Sequence, residues 1–513
     1  MFKIFLHPVS LLGAAILTSI FYGIWAVPLF DLDEGAFTEA TREMFERGDF
    51  ISTYLNGIPR YDKPILIYWL QAASVWLFGV NEFALRLPSA LAASGWVLAL
   101  FFFMRRLTDD ITALYAGLIT ALSIAVTVIG KAATADALLN MLLVMSMCSL
   151  FLYLRERKLA WLLGVYALAG LGFLTKGPVA ILVPGAVSLL FCLYKRDWRF
   201  WLRMVSQPVG IVLFLSIAAP WYVLQYQQEG QAFIDGFFLK HNLDRFQGPM
   251  EQHSGSLFYY LPVVLIGIIP FTSAGIRALS LLRTFVSDDL KLFALIWFLF
   301  VFIFFSLSGT KLPHYINYGL SGLFILCALY LDAVQNRFLA LLPALLFAVL
   351  LLFIPELIAS QLAGIKDPFI RDGLMLYSEE FGPGYRGYFA AVIAVILVFI
   401  FERKLLVEVK LVASGFLLVI GMSVLLLPAV GSLLQEPVKQ AALLARERQL
   451  SVKMWRINTP SFSVYRQAVT PKTDSPAAGD VIFTKRAQLA DLPAHDVLYM
   501  KGGAALVRIA AIP

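Results

Sequence analysis

Long apolar segments alternate with short charged segments along most of the chain. About thirteen segments have roughly the apolar length that a helix needs to cross a bilayer. They are residues 9–29, 84–104, 111–129, 137–154, 160–174, 178–194, 207–224, 257–276, 291–307, 315–331, 338–359, 386–401 and 409–427. The pattern predicts an all-α polytopic membrane protein with about 13 transmembrane helices.

Basic residues recur in every second gap between these segments. They are Arg105 and Arg106; Arg155, Arg157 and Lys158; Lys195, Arg196, Arg199 and Arg203; Arg277 and Arg283; Arg337; and Arg403 and Lys404. Loops rich in Lys and Arg stay in the cytoplasm, so the amino terminus is predicted inside. The opposite gaps (31–83, 131–136, 175–178, 225–256, 309–314 and 360–385) then share the outer face with the chain after 430.

The first outer loop, residues 31–83, is long and strongly polar for a membrane protein. Its residues 33–47 place apolar side chains at helical spacing, opposite Glu39, Arg42, Glu43 and Glu46, and Gly48 ends this stretch. Residues 65–79 are apolar and aromatic but too short to span comfortably. Two interfacial helices along the membrane surface are therefore predicted in this loop.

The composition changes after the last apolar segment. Residues 431–513 are charged, with a predicted helix near 436–449 and short β-prone runs at 462–465, 481–484, 497–499 and 505–509. We expect a transmembrane domain over residues 1–430 and a small α/β domain over residues 431–513 on the outer, periplasmic face.

Composition excludes several classes of protein. With 60% hydrophobic and 14% aromatic residues among 513, the chain is outside the soluble globular class. Its net charge of +7 comes from basic runs beside apolar segments, which excludes nucleic-acid binding. Cys148, Cys192 and Cys327 lie in apolar segments without metal-ligand spacing, and the amino-terminal apolar run is expected to be an uncleaved first span.

The outer gaps contain acids whose ordinary explanation is helix capping. Asp33 and Glu34 open the predicted helix at 33–47, and Asp136 directly precedes the apolar segment that begins at residue 137. Carboxylates so placed are also candidates for taking a proton from a nucleophile or orienting it.

The loop also resembles a known family. The ordered motifs DE, TREMFERGDF, LNGIPRYDKP, IYWL, LFG and NEFALRLPSA resemble the first external loop of the GT-C-type lipid-linked glycosyltransferases. The resemblance is to the branch that holds the lipid A aminoarabinose transferases and protein O-mannosyltransferase relatives. It implies catalytic carboxylates at Asp33, Glu34 and Asp136. It implies donor-phosphate contacts at Lys63, Lys176, Arg245, Lys311 and Tyr315.

The resemblance further implies a divalent metal ion near the donor. Asp62 and His253 are the expected pair of ligands, with His241 as the substitute for the histidine. The chain has Asp62 where most relatives have Glu, which is a departure from the family pattern.

The expected activity is inverting transfer of a sugar from a polyprenyl-phosphate carrier to a lipid A, glycolipid, glycan or protein acceptor at the outer face of a bacterial inner membrane. Two alternatives remain at this point: a flippase for polyprenyl-linked sugars, and a ligase or polymerase of surface polysaccharide. A transporter needs polar groups at mid-depth in its spans, whereas the ionisable residues here lie at span ends. The sequence leaves the sugar and the oligomeric state open.

Overall fold

The computed structural model describes residues 8–238, 255–285 and 287–510. Seven of the described helices are long and apolar enough to cross a bilayer, and three bent helix pairs raise this number to ten. The single helices are Glu82–Leu107, Asp136–Glu156, Leu159–Lys176, Pro208–Glu229, Asp289–Leu307, Pro383–Phe401 and Val407–Leu434. The polytopic α-helical architecture predicted from hydropathy is confirmed.

The bent pairs each occupy one predicted span. Asp110–Leu122 with Ile124–Gly130 bends by 61°, Tyr260–Gly267 with Thr272–Ser280 by 118°, and Arg337–Leu352 with Ile354–Gly364 by 55°. Pro270 lies in the sharpest break, where its missing N–H prevents a continuous helix.

The other three predicted spans are shorter helices: Val9–Phe21, Val179–Tyr194 and Asn317–Leu329. Each of the thirteen predicted segments therefore contains a helix, but length and composition support seven to ten crossings among the residues described. The count of thirteen stays a prediction.

Polar contacts collect at two opposite ends of the bundle. At the end with the basic gaps, Arg106 binds Glu156, Lys195 binds Asp289, and Arg337 donates to the carbonyl of Glu402. At the other end, the first loop contacts the turn at 131–135, the end of Pro208–Glu229 and the segment after 434. This grouping agrees with the two faces predicted from charge.

The first loop contains the helices Asp33–Arg47 and Leu66–Phe78, with a short hairpin of Tyr54–Leu55 and Ile58–Pro59 between them. The polar face of Asp33–Arg47 is covered rather than solvated, and the placement of this helix along the membrane surface stays a prediction. Glu39, Arg42 and Glu43 are buried, because helix Pro460–Arg466 packs against this helix. Arg42 neutralises Glu39 through two hydrogen bonds of 2.8 and 2.7 Å.

The last part of the chain is an α/β unit with its own core. Helices Glu436–Glu447 and Pro460–Arg466 pack against a four-stranded sheet in the order Val452–Met454, Val481–Lys485, Ala504–Ile509, His495–Lys501. The first pair of strands is parallel, and the other two pairs are antiparallel. The run at 462–465, predicted as a strand, is helical, and its Phe462 stacks on Phe483 in the core.

Shorter helices complete the described chain. They are Trp198–Val205, Gln231–Phe233, Pro368–Leu374 and Tyr377–Glu380. Helices Pro368–Leu374 and Tyr377–Glu380 lie in the gap at 360–385, which is predicted to be on the outer face. In this gap, Asp367 binds Lys485 of the α/β unit at 3.1 Å. The α/β unit also contacts the first loop through Ser461 and Asp31, so both contacts lie at the same end of the bundle.

Candidate active site

Asp136 is the centre of a buried polar cluster at the end of the bundle that carries the first loop. Its Oδ1 lies 2.5 Å from Nζ of Lys176 and 3.1 Å from the hydroxyl of Tyr318. Nε2 of His314 is 3.8 Å from the same oxygen. Asp136 and Lys176 are the first and last residues of their helices, so the two helix ends bring together residues 40 positions apart.

His314 is neutral in this environment at neutral pH. Burial lowers the pKa of His314 to about 4, and the charges of Lys176 and Lys63 act in the same direction. Asp136 and Asp33 oppose this shift without cancelling it. Because the ring experiences all four charges, the first loop, the 131–136 turn and the 309–314 turn meet at one place.

Asp33 differs from the other acids of the site in having no partner. It is exposed at the start of helix Asp33–Arg47 and lines the same cavity as Asp136 and His314. Its carboxylate makes no hydrogen bond or ion pair with any residue that the structure describes. A carboxylate in this state is available to a ligand.

Glu34, by contrast, is fully engaged. Arg86 binds its carboxylate through two hydrogen bonds, Nε to Oε1 at 2.8 Å and Nη2 to Oε2 at 2.6 Å. The backbone N–H groups of Ala133 and Phe30 donate to the same two oxygens, at 2.7 and 2.8 Å. Arg86 also donates to the carbonyls of residues 24, 27 and 28. The pair therefore fixes the loop that carries Asp33 to the turn that carries Asp136.

Asp31 connects the site to the α/β unit. Its carboxylate accepts hydrogen bonds from the backbone N–H of Ser461 at 3.0 Å and from the Ser461 hydroxyl at 2.5 Å. Burial raises the pKa of Asp31 to about 7, against the two hydrogen bonds from Ser461. Gly35 is needed here because a Cβ at this position would lie 2.7 Å from the Ser461 nitrogen. Sequence reasoning missed this contact, although Asp31 begins the DLDEG motif.

Asp62 lies between two cations. Nη2 of Arg60 is 2.9 Å from one carboxylate oxygen, and Nζ of Lys63 is 2.6 Å from the other. A metal ion at Asp62 would face both positive charges, and no group of three or more metal-ligating side chains occurs within the described residues. His253 and His241, the expected histidine ligands, lie outside the described residues. The described residues therefore do not test the expected pair of ligands, and the divalent metal ion stays a prediction.

The predicted donor-phosphate residues are only partly brought together. Lys176 lies 5.6 Å from the ring centres of both Tyr315 and Tyr318, and Lys63 lies close enough to act on His314. Lys311 is buried and donates to the carbonyl of Ser308 at 2.7 Å. Arg245 lies outside the residues that the structure describes.

Two cavities open at this cluster. A cavity of about 270 Å³ is lined by the acids 31, 33, 34 and 136, by His314, Lys131, Thr134 and Ser423, and by apolar side chains that include Ile24, Val27 and Leu427. An apolar groove of about 340 Å³ runs along residues 124–129 and 262–267 and shares Val128, Ile129 and His314 with the cavity. A polar ligand and an apolar chain can therefore meet beside Asp33 and Asp136.

The chain has clear relatives in sequence. The family model described as dolichyl-phosphate-mannose-protein mannosyltransferase matches residues 62–223. A protein of Aquifex aeolicus described as "Uncharacterized protein" is 32% identical over 331 residues, which are 64% of this chain and 74% of that protein. An undecaprenyl phosphate-alpha-4-amino-4-deoxy-L-arabinose arabinosyl transferase of Yersinia enterocolitica is 31% identical over 338 residues, which are 63% of this chain. The match spans 60% of that transferase's own length.

Solved structures share the fold over nearly the whole chain. ArnT from Cupriavidus metallidurans, bound to undecaprenyl phosphate, has a TM-score of 0.80 at 22% identity, covering 97% of both chains. The apo state of the same protein has a TM-score of 0.79, covering 98% of both chains. Because it covers 97% of this chain, the structural likeness includes the carboxyl-terminal α/β unit. The sequence matches cover 64% and 63% of the chain and do not establish a likeness of that unit.

Proposed function

Because the chain belongs to the GT-C membrane glycosyltransferases, in their ArnT-like branch, we propose that it transfers a sugar from a polyprenyl-phosphate carrier to an acceptor. The observation that carries this proposal is the position of Asp33. Its partner-free carboxylate lines one cavity with the Asp136 and His314 cluster, and an apolar groove leads to the same place. A lipid-linked substrate needs both features.

Each group has a distinct part in the proposed reaction. Asp33 accepts the proton of the attacking acceptor, whose oxygen forms a bond to the anomeric carbon. The bond from that carbon to the phosphate oxygen breaks on the opposite side, which inverts the configuration. Lys63 and Lys176 stabilise the negative charge that grows on the leaving phosphate, together with Arg245 and Tyr315.

Asp136 and Glu34 hold other groups in place. Asp136 binds Lys176 and Tyr318, so it orients the cation toward the donor phosphate. Glu34 has both oxygens occupied by Arg86 and two backbone N–H groups, which leaves it no free position for a substrate proton. We therefore assign Glu34 as a positioning residue rather than as a base.

The relatives indicate the classes of substrate. The Yersinia relative is described as acting with an undecaprenyl phosphate-linked aminoarabinose, and undecaprenyl phosphate is bound in the Cupriavidus structure. We propose undecaprenyl phosphate as the carrier here. The transferred sugar is a pentose or a hexose, and the acceptor is a lipid A, glycolipid, glycan or protein group.

The proposed location is the bacterial inner membrane, with the site on the periplasmic face and residues 431–513 forming a periplasmic domain. The basic residues of the opposite end support this orientation. An alkaline phosphatase fused after residue 513 is expected to be active, and a cytosolic reporter there inactive. The reverse result would contradict the orientation.

The activity is tested with undecaprenyl phosphate that carries a radiolabelled sugar, added to membranes that contain the full chain. Label in a second molecule, absent from membranes that lack the protein, is the expected result. If all of the radiolabelled sugar stays attached to undecaprenyl phosphate, on either side of the membrane, the result would contradict transfer and would favour a flippase.

A further inference from the structure

Tyr61 lies two positions before Lys63 in the first loop, and residues from the gap at 225–256 hold its side chain. The Tyr61 hydroxyl donates a hydrogen bond of 2.7 Å to Oε2 of Glu229, the last residue of helix Pro208–Glu229. Burial and this hydrogen bond raise the pKa of Tyr61 to about 12, so the phenol stays protonated at neutral pH. The Glu229 carboxylate therefore fixes the far end of the Tyr61 side chain.

Gly236 packs against the ring of the same tyrosine. A Cβ at residue 236 would lie 2.6 Å from Cδ2 and 2.9 Å from Cβ of Tyr61, well inside the distance at which two carbon atoms pack. Only glycine leaves room for the ring here. The Phe233 ring lies 6.1 Å from the Tyr61 ring at an angle of 70°, which is an edge-to-face contact. Residues 229–236 therefore hold both the hydroxyl and the ring of Tyr61.

A single residue, Asp62, separates Tyr61 from Lys63. The carboxylate of Asp62 binds Nζ of Lys63 at 2.6 Å and Nη2 of Arg60 at 2.9 Å. Pro64, which follows Lys63, is buried and has a fixed φ. Because the connection is this short, a shift of Tyr61 displaces Lys63 together with its ion pair.

Tyr54 makes a similar bond at a different place in the loop. Its hydroxyl donates to the other oxygen of Glu229, Oε1, at 3.2 Å. This part of the loop has a further anchor, because Nε1 of Trp221 donates to the carbonyl of Ile51 at 2.9 Å. Loss of the Tyr54 hydroxyl therefore removes the same kind of bond as loss of the Tyr61 hydroxyl, without releasing the segment that carries Lys63.

We propose that Tyr61 is a positioning residue for the donor, which holds Lys63 at the donor phosphate, and that Glu229 and Gly236 hold Tyr61 in its place. This inference rests on the proposed function, in which Lys63 stabilises the leaving phosphate. Tyr61 itself makes no bond to the reacting atoms. Affinity for the carrier thus depends on contacts between the first loop and residues 229–236.

Equilibrium binding of radiolabelled undecaprenyl phosphate to the full chain in nanodiscs tests this proposal without relying on sugar transfer. Tyr61→Phe is expected to weaken binding about five-fold, because the ring remains but the bond to Glu229 is lost. Tyr54→Phe is the matched control, and it is expected to lower the thermal midpoint to a similar extent while binding the carrier normally. Equal losses of binding in the two variants, or no loss in either, would overturn the proposal.

A Lys63→Ala background shows whether Tyr61 acts through Lys63. If it does, adding Tyr61→Phe to Lys63→Ala weakens binding no further, since the group that Tyr61 positions is already absent. A loss of about five-fold in this background as well would overturn the positioning role.

Gly236→Ala tests the ring contact, because the added methyl group forces the Tyr61 ring to move. It is expected to weaken binding at least as much as Tyr61→Phe. Gly384→Ala is the control, since a Cβ there meets no atom within 4 Å. Normal binding by folded Gly236→Ala protein would overturn the part assigned to this contact.

The same binding measurement separates this inference from the proposed function. Wild-type protein that binds undecaprenyl phosphate but transfers no sugar would contradict the proposed transfer alone, and the variants would still decide the role of Tyr61. Wild-type protein that binds no undecaprenyl phosphate would overturn both.

Discussion

Ser461 of the α/β unit holds the carboxylate of Asp31 through two hydrogen bonds, from its backbone N–H at 3.0 Å and its hydroxyl at 2.5 Å. The two residues are 430 positions apart, and Asp33 follows Asp31 by two residues. The carboxyl-terminal unit therefore helps to place the residue that we assign as the base.

Removing this hydroxyl is expected to affect both stability and turnover. Ser461→Ala loses one of the two bonds, at a cost of about 1–2 kcal/mol. We expect a lower thermal midpoint and a lower kcat with donor affinity retained, as measured on protein in nanodiscs. Ser475→Ala, an exposed serine of the same unit, is the control. If Ser461→Ala behaves like this control, the contact does not position Asp33.

Asp31 is expected to make stability depend on pH. The pKa of Asp31 is about 7 in the folded protein and near its ordinary value of 3.8 in the unfolded chain. Between these values the folded state holds a proton that the unfolded state has lost, so the Asp31 contribution falls as pH rises toward 7. Asp31→Asn should remove this part of the decline in thermal midpoints measured from pH 5 to pH 8. The exposed Asp474→Asn should keep the wild-type slope, and an unchanged slope in Asp31→Asn would show that this carboxyl titrates normally.

The sequence predicts the bundle well because the bilayer imposes a length and a polarity on each span. It also singles out Asp33 and Lys63 through the motifs of the first loop, and Asp136 through its position directly before an apolar segment. It misses contacts such as Asp31 to Ser461, because nothing in the local pattern of either segment records a partner 430 residues away. It does not show that helix Pro460–Arg466 covers the polar face of helix Asp33–Arg47, since periodicity does not distinguish water from a covering helix.

The ion pair between Glu34 and Arg86 is expected to be structural. Arg86→Met leaves the Glu34 carboxylate buried without its partner, which should cost about 3–5 kcal/mol. The double variant with Glu34→Gln should recover part of this loss, as measured by chemical or thermal unfolding. Glu34→Gln alone should keep donor binding and measurable transfer. Complete loss of turnover in a folded Glu34→Gln protein that binds donor would instead make Glu34 a catalytic residue.

Lys63 and Lys311, both implied by the resemblance as donor-phosphate contacts, are expected to differ. Lys63 is bound by Asp62 and acts on His314 at the site, whereas Lys311 is buried and donates to the Ser308 carbonyl. Lys63→Ala should weaken donor affinity and turnover about ten-fold or more, the size expected for a lost hydrogen bond to a charged group. Lys311→Ala should change donor affinity less. Donor titrations of both variants measure this, and equal losses would place Lys311 on the phosphate as well.

The central claim is that Asp33 is the base of a lipid-linked sugar transfer. A positioned base contributes about a hundred- to ten-thousand-fold to the rate, so Asp33→Asn should nearly abolish transfer. Donor binding should persist, because Lys63 and Lys176 are unchanged, and Asp474→Asn serves as the control for loss of a carboxylate. The decisive measurement is the single-turnover rate of sugar transfer from undecaprenyl phosphate by Asp33→Asn protein that is saturated with donor. We predict a fall of at least about a hundred-fold, and a folded, donor-bound variant with a near-normal rate would contradict the assignment.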